Sequence, residues 1–183
     1  MRNADAARRV RLLVLDVDGV LTDNALYLGM VDDRRVEFKR FDIQDGLGLV
    51  LLRYTDIAVA WLSARPSEAT TLRATELQVA DCVQDPTGRK RQAMEDLLAK
   101  HRLDWTEVAF VGDDLADLPV LRRVGVPIAV ANATEEVKAV AMYVTAARGG
   151  HGAVREVVRV LLEARGEYRD VRARYLADKG DAE

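Results

Sequence analysis

The chain has 183 residues, 49% of them hydrophobic and 31% charged, which is typical of one globular domain. A net charge of −3 and few aromatic residues argue against a nucleic-acid-binding surface. Cys82 is the sole cysteine, which excludes an internal disulfide and fits a cytoplasmic location. The first apolar run is interrupted by Asp16 and Asp18, so we expect no signal peptide and no membrane contact.

The predicted elements alternate between strands and helices after one early interruption. That interruption is a hairpin insert at about 24–41, and its second arm shows the period-2 alternation of a half-exposed strand. Its arms are expected at 25–28 and 34–41, around a turn at 29–33. The other strands are expected at 11–17, 57–62, 81–83, 108–111, 127–130 and 143–145. Helices are expected at 45–54, 67–77, 89–101, from after 111 to Gly125, at 134–141 and at 153–164.

This alternation predicts an α/β fold, with a Rossmann-like, doubly wound parallel sheet that has helices on both faces. We expect residues 1–183 to form a single domain, in which 151–183 supply a C-terminal helix and tail. In such sheets, ligands bind outside the carboxyl ends of the strands. Reactive side chains at those ends would therefore mark the site.

Two carboxylates follow the first strand, at Asp16 and Asp18. Side chains two residues apart project to the same side of an extended backbone, and buried carboxylates are costly unless a cation pairs with them. The second strand of the sheet ends at Ser63, and a later strand is followed by Asp113 and Asp114. The spacing thus brings two carboxylate pairs and a hydroxyl to one edge of the sheet.

Lys90 lies in the first turn of a predicted helix and shares its apolar face, so we expect it to point inward towards a buried anion. This set of residues is typical of phosphoryl transfer to an aspartate. Asp16 would be the nucleophile, and Asp18 the general acid and then base. Lys90, Ser63 and a Mg²⁺ ion held by carboxylates would hold the phosphoryl group.

The chain here resembles the haloacid dehalogenase superfamily of phosphatases. Four motifs of that family occur in order: Asp16-Val17-Asp18-Gly19-Val20, Ser63, Lys90 and Gly112-Asp113-Asp114-Leu115-Ala116-Asp117. Three further segments, at 18–23, 41–46 and 149–156, resemble the subfamily of 3-deoxy-D-manno-octulosonate 8-phosphate phosphatases, which lack a separate cap domain. The resemblance covers roughly residues 10–165.

The resemblance implies a Mg²⁺ site formed by Asp16, Asp113 and the main-chain carbonyl of Asp18. It implies hydrolysis of 3-deoxy-D-manno-octulosonate 8-phosphate, or of a related keto-sugar-acid phosphate, in lipopolysaccharide precursor synthesis. It also implies a homotetramer in which the hairpin and tail help to close a neighbour's site. The predicted substrate contacts are Asp18, Asp45, Arg65, His151 and Arg155. Two departures bear on specificity: Ala64 stands where the family usually has Gly, and some members carry Arg in place of His151.

Several of these residues also have plainer interpretations. Asp117 precedes Leu118-Pro119, so it is either a helix N-cap or a residue that orients Lys90 or the waters on the metal. We expect Asp114 and Asp117 to contact the direct ligands and not the metal itself. Arg65 and Arg155 either bind the substrate carboxylate or form surface ion pairs. His151 is either a substrate contact or a loop residue.

Three other functions compete with the phosphatase. A phospho-receiver domain also uses a strand-end aspartate, an acidic pair and a lysine, but its phosphoacceptor ends a middle strand, where this chain has Ser63. A metal-dependent nuclease has no need for Ser63 and Lys90. A non-catalytic relative is disfavoured because no motif residue is missing.

Overall fold

The computed structural model describes residues 4–181 of the chain. The strands are β1 (Leu12–Leu15), β2 (Tyr27–Val31), β3 (Arg34–Phe38), β4 (Ala58–Ser63), β5 (Asp81–Gln84), β6 (Val108–Gly112), β7 (Val126–Ala129) and β8 (Tyr143–Val144). The helices are α1 (Ala4–Arg8), α2 (Ile43–Leu52), α3 (Glu68–Glu76), α4 (Lys90–His101), α5 (Leu118–Leu121), α6 (Glu135–Val140), α7 (Ala153–Arg165) and α8 (Tyr168–Asp178). Short 3-10 turns precede β6 and α5.

Six strands form one parallel sheet in the order β5-β4-β1-β6-β7-β8. Numbered among themselves along the chain, these strands run 3-2-1-4-5-6, the order of doubly wound dinucleotide-binding folds. The order reverses between β1 and β6, where Leu15 is in register with Val111. The predicted fold class is confirmed, and the reversal point falls where Asp16 leaves β1.

Two groups of helices flank the sheet. Helices α1, α2 and α8 contact α7, whereas α5 contacts both α4 and α6. The apolar stripe of α7 is fully buried, as its 3.6-residue spacing predicts, and the side chains of β1 and most of β6 are likewise withdrawn from water. The core therefore lies on both sides of the two strands that carry the catalytic motifs.

The insertion between β1 and α2 is a separate antiparallel hairpin, β2–β3. Its first arm runs to Val31, so the predicted five-residue turn is wrong. The turn is Asp32-Asp33, and both residues have positive φ (47° and 57°), as a tight two-residue hairpin turn requires. Aspartate tolerates this conformation better than most residues. No larger insertion, and hence no cap domain, occurs within residues 4–181.

Three other elements differ from the predictions. Helix α1 was not predicted, because a five-residue helix has little periodicity; it forms by packing Ala6 and Ala7 against α7. The helix expected up to Gly125 is only α5, which begins around Pro119 after a 3-10 turn. Most of the expected tail forms α8. Residues 1–3 and 182–183 of the predicted domain lie outside the described residues.

None of the helices between residues 4 and 181 is both long enough and apolar enough to cross a membrane.

Candidate active site

The loop after β1 is fixed by its own backbone. The amide of Asp16 continues the sheet by donating to the Val111 carbonyl (3.0 Å), and the amides of Leu21 and Thr22 fold back onto the Val17 carbonyl (3.0 and 3.1 Å). Gly19 has a φ of +96°, and a Cβ there would collide with the Asp113 carboxylate. Only glycine allows the loops after β1 and β6 to approach this closely.

Lys90 points into the molecule from the first turn of α4, which confirms the predicted inward orientation. Its ammonium lies 2.6 Å from Asp16 Oδ1 and 2.7 Å from Asp117 Oδ1, and the residue is 3% exposed. Burial by itself would lower the pKa of Lys90, but the two carboxylates outweigh burial and raise the pKa above its ordinary value. Lys90 therefore carries its positive charge at neutral pH.

Of the two interpretations left open by the sequence, the structure supports the residue that orients Lys90; at the N-cap position of α5 the Asp117 side chain makes no capping hydrogen bond. One carboxylate oxygen, Oδ1, accepts from Lys90. The other, Oδ2, accepts from the amides of Asp113 (2.9 Å) and Asp114 (3.4 Å) and closes a capping box over the 3-10 turn. Both oxygens are thus engaged, so Asp117 holds the β6 loop and Lys90 in place.

The carboxylates of Asp16, Asp113 and Asp117 converge, with ligand oxygens within 4.8 Å of one another. Burial, together with the charge of Asp117, raises the pKa of Asp16 to about 7 despite the nearby Lys90. Burial, reinforced by Asp16 and Asp117, raises the pKa of Asp113 to about 8. When all three carboxylates are ionised, the single ammonium leaves two negative charges uncompensated, the amount that a divalent cation neutralises.

These residues fit a Mg²⁺ ion. Mg²⁺ prefers oxygen ligands and is commonly bound through one or two carboxylates together with phosphate and water. Asp16 and Asp113 can supply the two carboxylates, because both oxygens of Asp117 already accept hydrogen bonds from Lys90 and backbone amides. Their shared burial and raised pKa values are the electrostatic sign of a cation site.

Ser63 ends β4 next to Asp16 and is 1% exposed. Its hydroxyl accepts from the Arg65 amide and donates to the Arg65 carbonyl, both at 3.1 Å, which forms a tight turn. Ala64 has no positive φ, so this turn needs no glycine and the departure at Ala64 leaves the backbone unstrained.

One cavity of about 210 Å³ gathers most of the predicted site. It is lined by eight of the predicted residues: Asp16, Asp18, Ser63, Arg65, Lys90, Asp113, Asp114 and Asp117. Asp114 is exposed at its rim and caps the following turn through the Leu115 amide (2.7 Å). The predicted strand-end clustering is thus what the fold produces.

The other three predicted substrate contacts lie apart from this cavity. Asp45 is 1% exposed and accepts from the amides of Gly152 (3.2 Å) and Arg155 (2.8 Å), so it caps the start of α7. The Arg155 side chain packs against Gly48, and its Nη1 is buried without a partner among residues 4–181. His151 is exposed beside Arg40, with 3.4 Å between Nδ1 and Nη1. Their substrate roles stay predictions.

Besides Asn24, which lines the cavity, the sequence analysis missed two residues that contact the loops of the site. Lys39, just after β3, lies with its ammonium 2.6 Å from Asp18 Oδ1. Asn132 joins two loops, donating to the Gly19 carbonyl (3.3 Å) and accepting from the Gly149 amide (2.7 Å). Lys39 was missed because the alternating pattern of β3 predicts that its charged side faces solvent. Asn132 was missed because a single asparagine after β7 belongs to no motif. The only available signal was the position of Lys39 at the return from the hairpin to the core.

Comparison with known proteins gives the class of the molecule. A family model for haloacid dehalogenase-like hydrolases matches residues 55–157. The chain belongs to this family, which confirms the resemblance carried by the four motifs. Membership removes the receiver and nuclease alternatives.

Within the family, the chain is similar to 3-deoxy-D-manno-octulosonate 8-phosphate phosphatase KdsC of Escherichia coli K12. The two are 41% identical over 161 residues, which cover 88% of this chain and 84% of that protein. The fold matches the 3-deoxy-D-manno-octulosonate 8-phosphate phosphatase of Moraxella catarrhalis, solved with magnesium, phosphate and KDO, with a TM-score of 0.87 and 34% identity over 94% of this chain and 97% of that one. The cobalt-bound phosphatase of Haemophilus influenzae matches with a TM-score of 0.83 and 33% identity, over 90% and 94%.

Proposed function

We propose that this protein is a Mg²⁺-dependent phosphomonoesterase that hydrolyses 3-deoxy-D-manno-octulosonate 8-phosphate to the free sugar acid and inorganic phosphate. The observation that carries the proposal is the placement of Asp16, Asp18, Ser63 and Lys90 around one cavity. The 41% identity to the KdsC phosphatase and the KDO-bound structural relative support the choice of substrate.

The reaction begins with Asp16. Its carboxylate attacks phosphorus, and the bond between phosphorus and the sugar oxygen breaks. Asp18, in the same cavity, gives a proton to the departing oxygen, so that the sugar leaves as an alcohol. The product of this step is an aspartyl-phosphate on Asp16.

The second step regenerates the enzyme. Asp18 removes a proton from a water molecule, which attacks phosphorus, releases phosphate and restores the Asp16 carboxylate. Lys90 keeps Asp16 oriented, and with the Ser63 hydroxyl it holds the phosphoryl oxygens. Mg²⁺, held by Asp16, Asp113 and the carbonyl of Asp18, would neutralise charge on the phosphoryl group when bound.

We assign the substrate carboxylate to Arg65 in preference to Arg155. The Arg65 side chain lines the cavity and is 36% exposed. Both of its terminal nitrogens pair with Glu37, and each keeps a second N–H group that a ligand can reach. Arg155 stands behind the Asp45 cap, away from the cavity. Asp45 and His151 lie apart from the cavity, so they remain candidate substrate contacts only for a site that extends beyond it.

We also propose that the active form is a homotetramer. The hairpin exposes more than half of several apolar side chains, an unusual surface for a monomer. They are Leu28 (52%), Met30 (66%), Val31 (54%) and Phe38 (61%). Packing of hairpins from neighbouring chains would bury them and place extra residues over each site.

Residues 1–183 would then form one hydrolase domain that acts in the cytoplasm on a precursor of lipopolysaccharide. The single cysteine and the small phosphorylated substrate fit that location.

The function is tested by measuring phosphate release with and without Mg²⁺ across a panel of sugar phosphates, with Asp16→Asn as the blank. We expect 3-deoxy-D-manno-octulosonate 8-phosphate to be preferred by orders of magnitude in kcat/KM. Mg²⁺-dependent release spread over many sugars would overturn the substrate and keep the chemistry. No Mg²⁺-dependent release from any of them would overturn the function and favour a non-catalytic relative.

A further inference from the structure

A lysine from the hairpin reaches the proposed acid–base residue. Lys39 follows β3 directly, and its side chain is only 1% exposed, although the preceding Phe38 is 61% exposed. The Lys39 ammonium lies 2.6 Å from Asp18 Oδ1 and 3.2 Å from Thr70 Oγ1. A buried ammonium is costly unless it is paired, so this contact fixes the side chain on the Asp18 side of the hairpin.

The position of Lys39 is fixed from a second direction by Glu37, two residues earlier on the same side of β3. Glu37 Oε1 lies 3.8 Å from the Lys39 ammonium. Glu37 is itself held by both guanidinium nitrogens of Arg65 (3.1 and 2.5 Å) and by the Ser67 hydroxyl (2.8 Å). The return of the hairpin is thereby joined to the turn after β4, which also carries Ser63.

We propose that Lys39 is a positioning residue for Asp18. It binds one carboxylate oxygen, Oδ1, and so directs the other, Oδ2, towards the leaving-group oxygen in the cavity shared with Asp16. The Asp18 side chain is 29% exposed and lies in the loop after β1, so without Lys39 its carboxyl group is free to turn to solvent. This role rests on the proposed function, because it concerns the proton that Asp18 gives to the leaving group.

Positioning of an acid matters only when the leaving group needs a proton. In the first step the Asp16–phosphorus bond forms while the phosphorus–oxygen bond to the leaving group breaks, and the Asp18 proton goes to that oxygen. The leaving group of phenyl phosphate needs this proton more than that of p-nitrophenyl phosphate does, because p-nitrophenolate is a more stable anion than phenolate. Phenyl phosphate and p-nitrophenyl phosphate therefore differ in this requirement while sharing their ring and lacking a carboxylate.

The test compares kcat/KM, which covers the steps through release of the leaving group, for both aryl phosphates and for 3-deoxy-D-manno-octulosonate 8-phosphate. The variants are Lys39→Met, Lys39→Arg and, as a matched control, Lys138→Met, whose ammonium pairs with Glu135 on α6. All are assayed with Mg²⁺. Since each ratio between two substrates cancels the fraction of active enzyme, partial misfolding does not affect it.

We expect Lys39→Met to lower kcat/KM for phenyl phosphate and for the sugar phosphate by about tenfold or more, and that for p-nitrophenyl phosphate by less than about threefold. Lys39→Arg should recover part of the difference, and Lys138→Met should match the wild type. Equal losses on both aryl phosphates, or no loss, would overturn the positioning role while leaving the phosphatase intact. A wild-type enzyme inactive on all three phosphates would remove the proposed function and this inference with it.

Discussion

The carboxyl edge of the sheet buries charged side chains, whereas the hairpin exposes apolar ones. At the edge, charged groups are buried: Asp16 is 6% exposed, Lys90 3%, Asp113 5% and Asp117 0%. On the hairpin, large apolar side chains face outward, with Met30 66% exposed. The charged groups of the edge are paired within one chain, whereas the apolar side chains of the hairpin are left exposed in the single chain. We therefore expect catalysis to depend on the edge and on the inward side chains of the hairpin, and the proposed assembly to depend on the outer face of the hairpin.

The two regions meet through charge. Glu37 and Lys39 turn inward from the hairpin to Arg65 and Asp18, while Phe38 between them turns outward. Alternation along β3 thus gives the hairpin one face towards the site and another that is exposed and forms the proposed interface. Changes on the two faces should separate catalysis from assembly.

The largest effect is expected at Asp16. Asp16→Asn removes the attacking carboxylate, so kcat should fall by at least about a thousandfold. The fold should be retained, because the substitution replaces a buried carboxylate whose pKa is already raised by burial with a neutral group of the same shape. Steady-state phosphate release and thermal unfolding measure both quantities. Asp96→Asn, on the exposed side of α4, is the control, and a variant retaining half the activity would contradict the mechanism.

Lys90 is expected to matter for both activity and stability. Lys90→Met leaves Asp16 and Asp117 buried without their cation, so the free energy of unfolding should fall by about 3–5 kcal/mol. Activity should be lost together with it. Denaturant unfolding without added metal measures the change, and Lys138→Met should leave the unfolding free energy within about 0.5 kcal/mol of the wild type. Unchanged stability would mean that the buried pairs contribute no net stabilisation.

Charges on the outer face of the hairpin should act on assembly alone. The double variant Met30→Asp, Phe38→Asp removes two exposed apolar groups, each worth about 1.5–3 kcal/mol when buried. Sedimentation should therefore show smaller species, with little change in the unfolding of the dissociated chain. Val144→Asp, on the edge strand β8 and 41% exposed, should leave the assembly unchanged. An unaltered assembly in the double variant would exclude the hairpin as the interface.

The smallest expected effect concerns pH and Asp45. Burial raises the pKa of Asp45 from 3.8 to about 6, so the folded protein binds this proton more tightly than the unfolded chain does. The contribution of Asp45 to stability is therefore fully present below about pH 4 and declines as pH rises to about 6. Relative to Asp45→Asn, the unfolding free energy of the wild type should fall by about 1–3 kcal/mol over this range. Urea unfolding at several pH values measures the trend, and a difference independent of pH would contradict it.

The sequence specified the edge well because its residues obey two strong local rules. Apolar runs around β1 and β6 predict buried parallel strands, and the residues after them must meet where the strand order reverses. The apolar face of α4 likewise predicts the inward orientation of Lys90. These are properties of short segments, so they can be predicted from a single sequence.

The parts that escaped prediction depend on contacts between distant segments. Lys39 alternates with Phe38 as a solvated residue would, and only tertiary placement brings it to Asp18. The predicted turn at 29–33 is too long, because residues 29–31 continue β2 and only Asp32 and Asp33 adopt the left-handed conformation. The cap that the Asp45 carboxylate forms on α7 was not predicted either, because it joins residues more than a hundred positions apart in the chain.

The most direct test of the central claim is to trap the phosphorylated enzyme. Enzyme mixed with phosphate-labelled 3-deoxy-D-manno-octulosonate 8-phosphate and Mg²⁺ is quenched in acid within milliseconds, digested, and searched for the labelled peptide. We predict hydroxylamine-sensitive label on the peptide that contains Asp16, at a rate that matches turnover, and none in Asp16→Asn. Turnover without such label, or label on a peptide that lacks Asp16, would contradict the account.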